Sequence, residues 1–360
     1  MDESQAAPTK QGKTILGHFR WIVRSLLWLA VWGTVCGFFL WSCGGMCYLP
    51  YLPNWLTGVL AAGYALGGLY LLFRTRPKRK WLIYAAVGAV AVYGLLLLHR
   101  PTHDRDWAAD HSRMPHIEIA GNSVTLTEFR QFRYRSESEY TPDWNTEKFE
   151  LDDISAVWFG VQRFTTLEGI AHTFLSFRAD TERGPKFICV SVEVRREKGE
   201  SWSPTRGFYR QYELIYIVSD ERDEVAMRTV HRPNDRVFLF PVNATAEQAQ
   251  MLFAEVAERV NRLETEPEFY NSFFNNCTNN LAVHTNRLNP EISILDRRIM
   301  IPGYSDRFAF AKGLIGDGSE TFRQMRGRCR VDEIARQFGD RDGFSLAIRR
   351  RLDQTPEPTP

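Results

Sequence analysis

The chain has 360 residues, with 45 Lys and Arg against 43 Asp and Glu and a formal net charge of +2, so no overall charge field points to nucleic acid. Its six cysteines form no CxxC pair and no His/Cys cluster of zinc spacing, which leaves a structural metal or other cofactor without support. The average conceals two halves: residues 21–98 are almost uncharged outside one basic cluster, whereas 100–351 mix acids and bases like a water-soluble surface.

Segments 25–42, 55–73 and 81–98 each reach the length of about 20 apolar residues that a helix needs to cross a bilayer. A cleaved signal peptide explains the first segment but not the next two. Lys10, Lys13, Arg20 and Arg24 flank the first span, and Arg74, Arg76, Lys78, Arg79 and Lys80 lie between the second and third, while the loop 43–53 carries no charge. Placing both basic flanks in the cytoplasm sends everything after Arg100 outward. The expected division is a cytoplasmic segment 1–20, a membrane domain 21–99 with three transmembrane helices, a polar linker 100–116, an extracytoplasmic domain 117–350 and a disordered Pro/Thr-rich tail 351–360. Cys43 and Cys47, just past the first span, can pair as a disulfide outside the membrane.

In the soluble part, 117–134 alternates around a Gly121-Asn122 turn and predicts a hairpin. A strand follows at 156–164, then two alternating runs, 171–178 and 186–195, joined by a turn-rich connection. Ile188, Val190, Val192 and Val194 share one face of the second run, leaving Cys189, Ser191, Glu193 and Arg195 on the other; His172, Phe174, Ser176 and Arg178 share a face of the first. Pairing Arg178 with Phe187 sets His172 opposite Glu193. Further strands are expected at 211–218 and 236–242. An amphipathic helix over 245–263 opens with a Thr245/Gln248 capping box, and a second begins at Asn276 or Cys277, with Asn276 as its N-cap, and ends before Pro290. After a turn at 302–307 the remainder reads as helical.

Cys277 stands at the predicted start of that second helix, where free backbone N–H groups and the helix dipole favour thiolate over thiol. A thiolate is a competent nucleophile, and the same N–H groups, with the amides of Asn275, Asn276 or Asn279, can hold an oxyanion. A nucleophilic cysteine needs a base. His103, His111 and His116 lie in or beside the linker and read as solvated, and His284 is two helical turns from Cys277. His172, on a strand with a carboxylate opposite, can be both positioned and fixed in one tautomer. Ser176 and Arg195, on the same strand faces as His172 and Glu193, complete the candidates for substrate contact. The structural alternatives are a small buried Cys277, a hydrogen-bonded core His172, and a solvent-facing Glu193 paired with Arg178 or Arg195.

Four stretches carry a resemblance: 169–177 around Ala171-His172-Thr173, 190–195 around Glu193, 269–280 around Asn276-Cys277-Thr278, and 301–307. They resemble the extracytoplasmic domain of the bacterial Lnb-type lipoprotein N-acyltransferases over roughly 117–350. The resemblance implies an α+β, circularly permuted papain-like fold of the NlpC/P60 kind, with an antiparallel sheet and a helix carrying the cysteine. It implies Cys277 as nucleophile, His172 as base and Glu193 as the orienting residue. The implied activity moves an acyl chain from a phospholipid donor to the N-terminal amine of a diacylated lipoprotein, at the periplasmic side of the bacterial inner membrane. One departure is Thr-Asn-Asn after the cysteine where the family often has Thr-Thr-Asn, which bears on substrate selection through Asn279. A cell-wall amidase or cysteine peptidase using the same pair, and a non-catalytic envelope scaffold, are the alternatives.

Overall fold

Apolar sequence that cannot be satisfied by water becomes helix, because a helix closes its own backbone hydrogen bonds. The computed structural model describes residues 10–350 apart from 51, 77, 165, 166 and 289–291, so the tail expected to be disordered lies outside the described residues. The chain divides into two compact units, Met1–Arg100 and Pro101–Pro360. The first holds α1 (Lys10–Met46), α2 (Asn54–Arg74) and α3 (Arg79–Leu98), three helices long and apolar enough to cross a membrane. They meet through aromatic rings set against small residues: Trp32 stacks on Trp81 at 5.1 Å, and a Cβ on Gly88 would fall 2.2 Å from the Tyr64 hydroxyl. Cys43 and Cys47 are free thiols, as are the other four cysteines, so no disulfide joins them.

The second unit is built on one mostly antiparallel sheet. Its strands are β1 (His116–Ala120), β2 (Ser123–Arg130), β5 (Trp144–Glu150), β6 (Ile154–Arg163), β7 (His172–Thr181), β8 (Gly184–Arg195), β9 (Glu213–Asp220) and β10 (Arg236–Pro241), in the order β1-β2-β9-β8-β7-β6-β10 with β5 beside β2. A separate pair, β3 (Arg133–Tyr134) and β4 (Tyr140–Thr141), lies between β2 and β5 in the chain. The β1–β2 turn falls at Gly121, with φ of +64°. β7 and β8 pair with Arg178 opposite Phe187, the register set out above.

Helices cover both faces of the sheet. On one face, Leu175, Phe177, Val190, Val192, Leu214 and Tyr216 pack against α5 (Ala246–Thr265) and the start of α6 (Cys277–Leu288). The Thr245/Gln248 capping box opens α5 as its spacing predicts. On the other face, Trp158, Val161, Phe174, Phe187 and Cys189 pack against short helices, chiefly α9 (Phe322–Arg328), α10 (Asp332–Phe338) and α11 (Phe344–Arg349). Between them in sequence run α4 (Met227–Thr229), before α5, and α7 (Arg297–Met300) and α8 (Ser305–Ala311), after α6. The architecture is α+β. Because the second face is covered, positions that strand alternation assigns to solvent are buried. Ser176 and Ser191 have no exposure, and His172 only 9%.

Candidate active site

His172 opens β7, and the loop ahead of it is braced by the 301–307 turn. Gly303 lies so close that a Cβ there would fall 1.8 Å from the Glu168 carbonyl oxygen; its own N–H donates to Gly169 O at 3.0 Å. Arg163, at the end of β6, donates to Gly303 O (2.6 Å), Glu168 O (3.0 Å) and the buried Asp306 carboxylate (3.0 Å). The Pro-Gly-Tyr-Ser-Asp stretch is therefore a clamp on the strand that presents the histidine. Gly160 on β6 leaves room for the Phe174 ring, since a Cβ would fall 2.3 Å from it, and that ring lies nearly parallel to the His172 imidazole at 6.3 Å.

The imidazole is held through one nitrogen. His172 Nε2 lies 2.7 Å from Ser191 Oγ and 3.1 Å from Glu193 Oε1, and Ser191 Oγ donates to that same carboxylate oxygen at 2.8 Å. Arg228 of α4 donates to Glu193 Oε1 at 2.5 Å and pairs with Glu224 Oε1 at 3.0 Å. A π-helical turn, Arg222–Ala226, turns Glu224 and Asp223 inward, where Arg130 grips Asp223 through two nitrogens at 3.0 and 2.8 Å. His172, Glu193 and Glu224 bring three ligand-type atoms within 4.8 Å of one another. The Arg228 guanidinium already supplies the positive charge between the two carboxylates, so this donor set does not suit a metal ion.

Electrostatics sharpen the roles. Burial alone would raise the Glu193 carboxyl, but His172, Arg228 and the Ser191 hydroxyl outweigh it and draw its pKa down to about 2. Burial, with Arg228 beside it, lowers the pKa of His172 below its ordinary value against the pull of Glu193 and Glu224.

Cys277 is the first residue of α6 and is 3% exposed. The α6 start is tied to β7 by the hydroxyls of Thr278 and Thr173, 3.1 Å apart, so the thiol lies against the strand that begins with His172. Cys277, His172, Glu193 and Tyr270 line one cavity of about 890 Å³. Among the described residues no hydrogen bond joins the Cys277 sulfur to the His172 ring; the sulfur's neighbours are Thr173 and, at 4.0 Å, Thr278 Oγ1. Burial pushes the thiol pKa up, opposed by hydrogen bonds with Thr173. The helix dipole suggests a thiolate in the resting site, whereas enclosure by protein favours the neutral thiol.

The asparagines serve architecture. Asn276 Oδ1 accepts from the Asn279 N–H (2.9 Å) and Asn279 Oδ1 accepts from the Asn276 N–H (3.2 Å), a reciprocal cap that confirms Asn276 as N-cap. Asn276 Nδ2 donates to Ser272 O and Met300 O, and Asn275 Nδ2 to Glu268 and Phe269 O. The side-chain N–H donors of Asn275 and Asn276 are thus spent. Asn279 Nδ2 is buried without a partner, and Asn279 is not among the residues lining the cavity.

Ser176 and Arg195 are not brought to the cavity either. Ser176 donates to Glu221 (2.6 Å) and accepts from Arg349 (3.2 Å), four residues along β7 under the second helical layer. Arg195 donates to His111 O and Ser112 O and lies over the Trp107 ring. His284, expected to be too far from Cys277, is near the Tyr216 hydroxyl at 3.0 Å.

Residues 140–305, which include His172, Glu193, Arg228 and Cys277, match the family model described as the Lnb N-terminal periplasmic domain. This stretch is an Lnb-type domain. No curated protein and no solved structure matches it. With three apolar helices ahead of this domain, the chain is a membrane protein carrying a periplasmic domain. Sequence reading of the Lnb-type domain missed Arg228, because its partners are 35 and 4 residues away on separate elements. It also missed Ser191, whose strand face reads as solvent-exposed. The linker histidines expected in water divide: His103 and His116 are half-buried, whereas His111 is 5% exposed and lines the cavity.

Proposed function

We propose that this protein is a cysteine acyltransferase of the bacterial inner membrane that passes a phospholipid acyl chain, through a thioester on Cys277, to the N-terminal amine of a diacylated lipoprotein. The observation that carries this reading is the shared cavity: a cysteine at a helix N-terminus and a histidine fixed by Ser191 and Glu193 line the same space, within the segment matched to the Lnb domain. The histidine strand also precedes the cysteine helix in sequence, the order expected of a permuted papain-like fold.

Both partners rest uncharged, so His172 acts as a general base when Cys277 attacks the ester carbonyl. The proton passes from sulfur to imidazole, Glu193 stabilises the imidazolium, and the N–H groups of Cys277 and Thr278, which the Asn276–Asn279 cap does not use, serve the developing oxyanion. The proton then leaves with the alcohol. In the second half the amine attacks the thioester, gives its proton to His172, and the thiol is restored.

An apolar cavity of about 160 Å³, lined by Thr278, Leu281, Ala282, Phe308 and Ile315 among others, begins one residue beyond Cys277 and suits the proximal part of an acyl chain. The 890 Å³ cavity is lined largely by charged and polar residues, which favours the amidase or peptidase reading of the same pair. Incubation of the purified full-length protein with phospholipid vesicles, followed by rapid acid quench and mass spectrometry of the Cys277 peptide, separates the two. An added fatty-acyl mass, labile to hydroxylamine, is expected; a Cys277 that stays unmodified with phospholipid yet is trapped by peptide substrates would overturn acyl transfer.

A further inference from the structure

The segment that follows α3 does not hang free as a linker. The Ala108 N–H donates to Arg196 O and the Lys198 N–H to Asp106 O, both at 2.9 Å, extending the sheet beyond the end of β8. Arg195 fastens the same segment, donating to His111 O at 3.0 Å and lying 4.2 Å over the Trp107 ring. A short 3₁₀ turn, Ala109–His111, then carries the His111 ring into the wall of the cavity that Cys277 and His172 also line. These residues precede the stretch matched to the Lnb domain, so this wall lies outside what the family model describes.

The ring is fixed in one tautomer. The Arg196 N–H donates to His111 Nδ1 at 3.1 Å, which leaves the proton of the neutral ring on Nε2. The nearest carboxylate oxygen to Nε2 is Asp110 Oδ2 at 3.7 Å, beyond a hydrogen bond, and that carboxylate is engaged by Arg196 Nη2 at 2.8 Å. Burial lowers the His111 pKa to about 4, so the ring stays neutral at physiological pH and is a fixed donor rather than a second base.

We propose that His111 binds substrate in this cavity, donating its Nε2–H to a neutral carbonyl oxygen, peptide or ester, of the acyl acceptor. This rests on the acyl-transfer reading above. A lipopeptide brings uncharged carbonyls next to its amine, and a neutral ring with a fixed N–H suits such an acceptor. The site thereby gains a second histidine whose task is to hold the acceptor while His172 moves protons.

The test measures binding of a synthetic S-diacylglyceryl-cysteinyl peptide to the full-length chain carrying Cys277→Ala, which blocks turnover. Adding His111→Phe is expected to weaken binding about ten-fold, the scale of one lost neutral hydrogen bond in an enclosed site. His111→Gln, whose amide N–H can stand where Nε2–H stood, is expected to stay within about three-fold, with melting temperatures alike in all three proteins. Equal affinity in the Phe variant would overturn this inference and leave acyl transfer untouched. Absence of binding by the Cys277→Ala parent would overturn the acceptor reading and this inference with it.

Discussion

Replacing His172 by Ala is expected to slow thioester formation on Cys277 by about 10² to 10⁴ at pH 7, the range a positioned general base contributes. The pH dependence separates this role from a structural one. In the wild type the working form is neutral His172, and burial holds its pKa below the ordinary 6.5, so the rate should rise with pH to a plateau reached below neutrality. The Cys277 thiol, with its pKa raised above 9.0, contributes little thiolate on that plateau. Without the base, the only route is pre-ionised thiolate, so the rate of the His172→Ala variant should climb with pH into the alkaline range and its deficit should shrink there. A deficit that is the same at every pH, or a loss under about ten-fold, would contradict the base assignment.

Arg228→Met is expected to destabilise the periplasmic domain by about 3–5 kcal/mol, because it strips the shared cation from the buried Glu224 and the part-buried Glu193. For a domain of this size that corresponds to a fall in Tm of roughly 10 °C. The same change should move the surviving activity. The Arg228 charge lowers the His172 pKa, so its removal raises that pKa and shifts the acid limb of the rate profile to higher pH. Thermal unfolding and a pH series on the soluble fraction of the variant would show both effects. A destabilisation under about 1 kcal/mol, with an unmoved acid limb, would mean that Arg228 is solvated in solution.

How far the sequence speaks depends on which interactions are local. The Thr245/Gln248 box and the four-residue spacing of Leu252, Val256 and Val260 lie within one element, and α5 follows from them. The β7–β8 register follows from a short connection between two alternating runs, and with it the His172–Glu193 pairing. The second helical layer is different. Its helices α9, α10 and α11 have six or seven residues each and little periodicity, so nothing local announces that Ser176 and Ser191 are covered.

The asparagine-rich stretch around Cys277 shows the opposite hazard. Four asparagines beside a cysteine suggest a reactive site, yet Asn275, Asn276 and Asn280 are spent on the cap and on the turn before it. Segment 101–116 misleads for a third reason. Its polar composition reads as solvated chain, but its partners, Arg195, Arg196 and Lys198, come about 90 residues later and are recognised only once β8 is folded.

The most direct measurement is the lipoprotein mass spectrum from cells whose only transferase of this kind is the full-length chain carrying Cys277→Ala. Inserted, folded protein accompanied by lipoproteins that retain a free N-terminal amine is the expected result. Fully triacylated lipoproteins in that strain would contradict an acyl transfer that proceeds through Cys277.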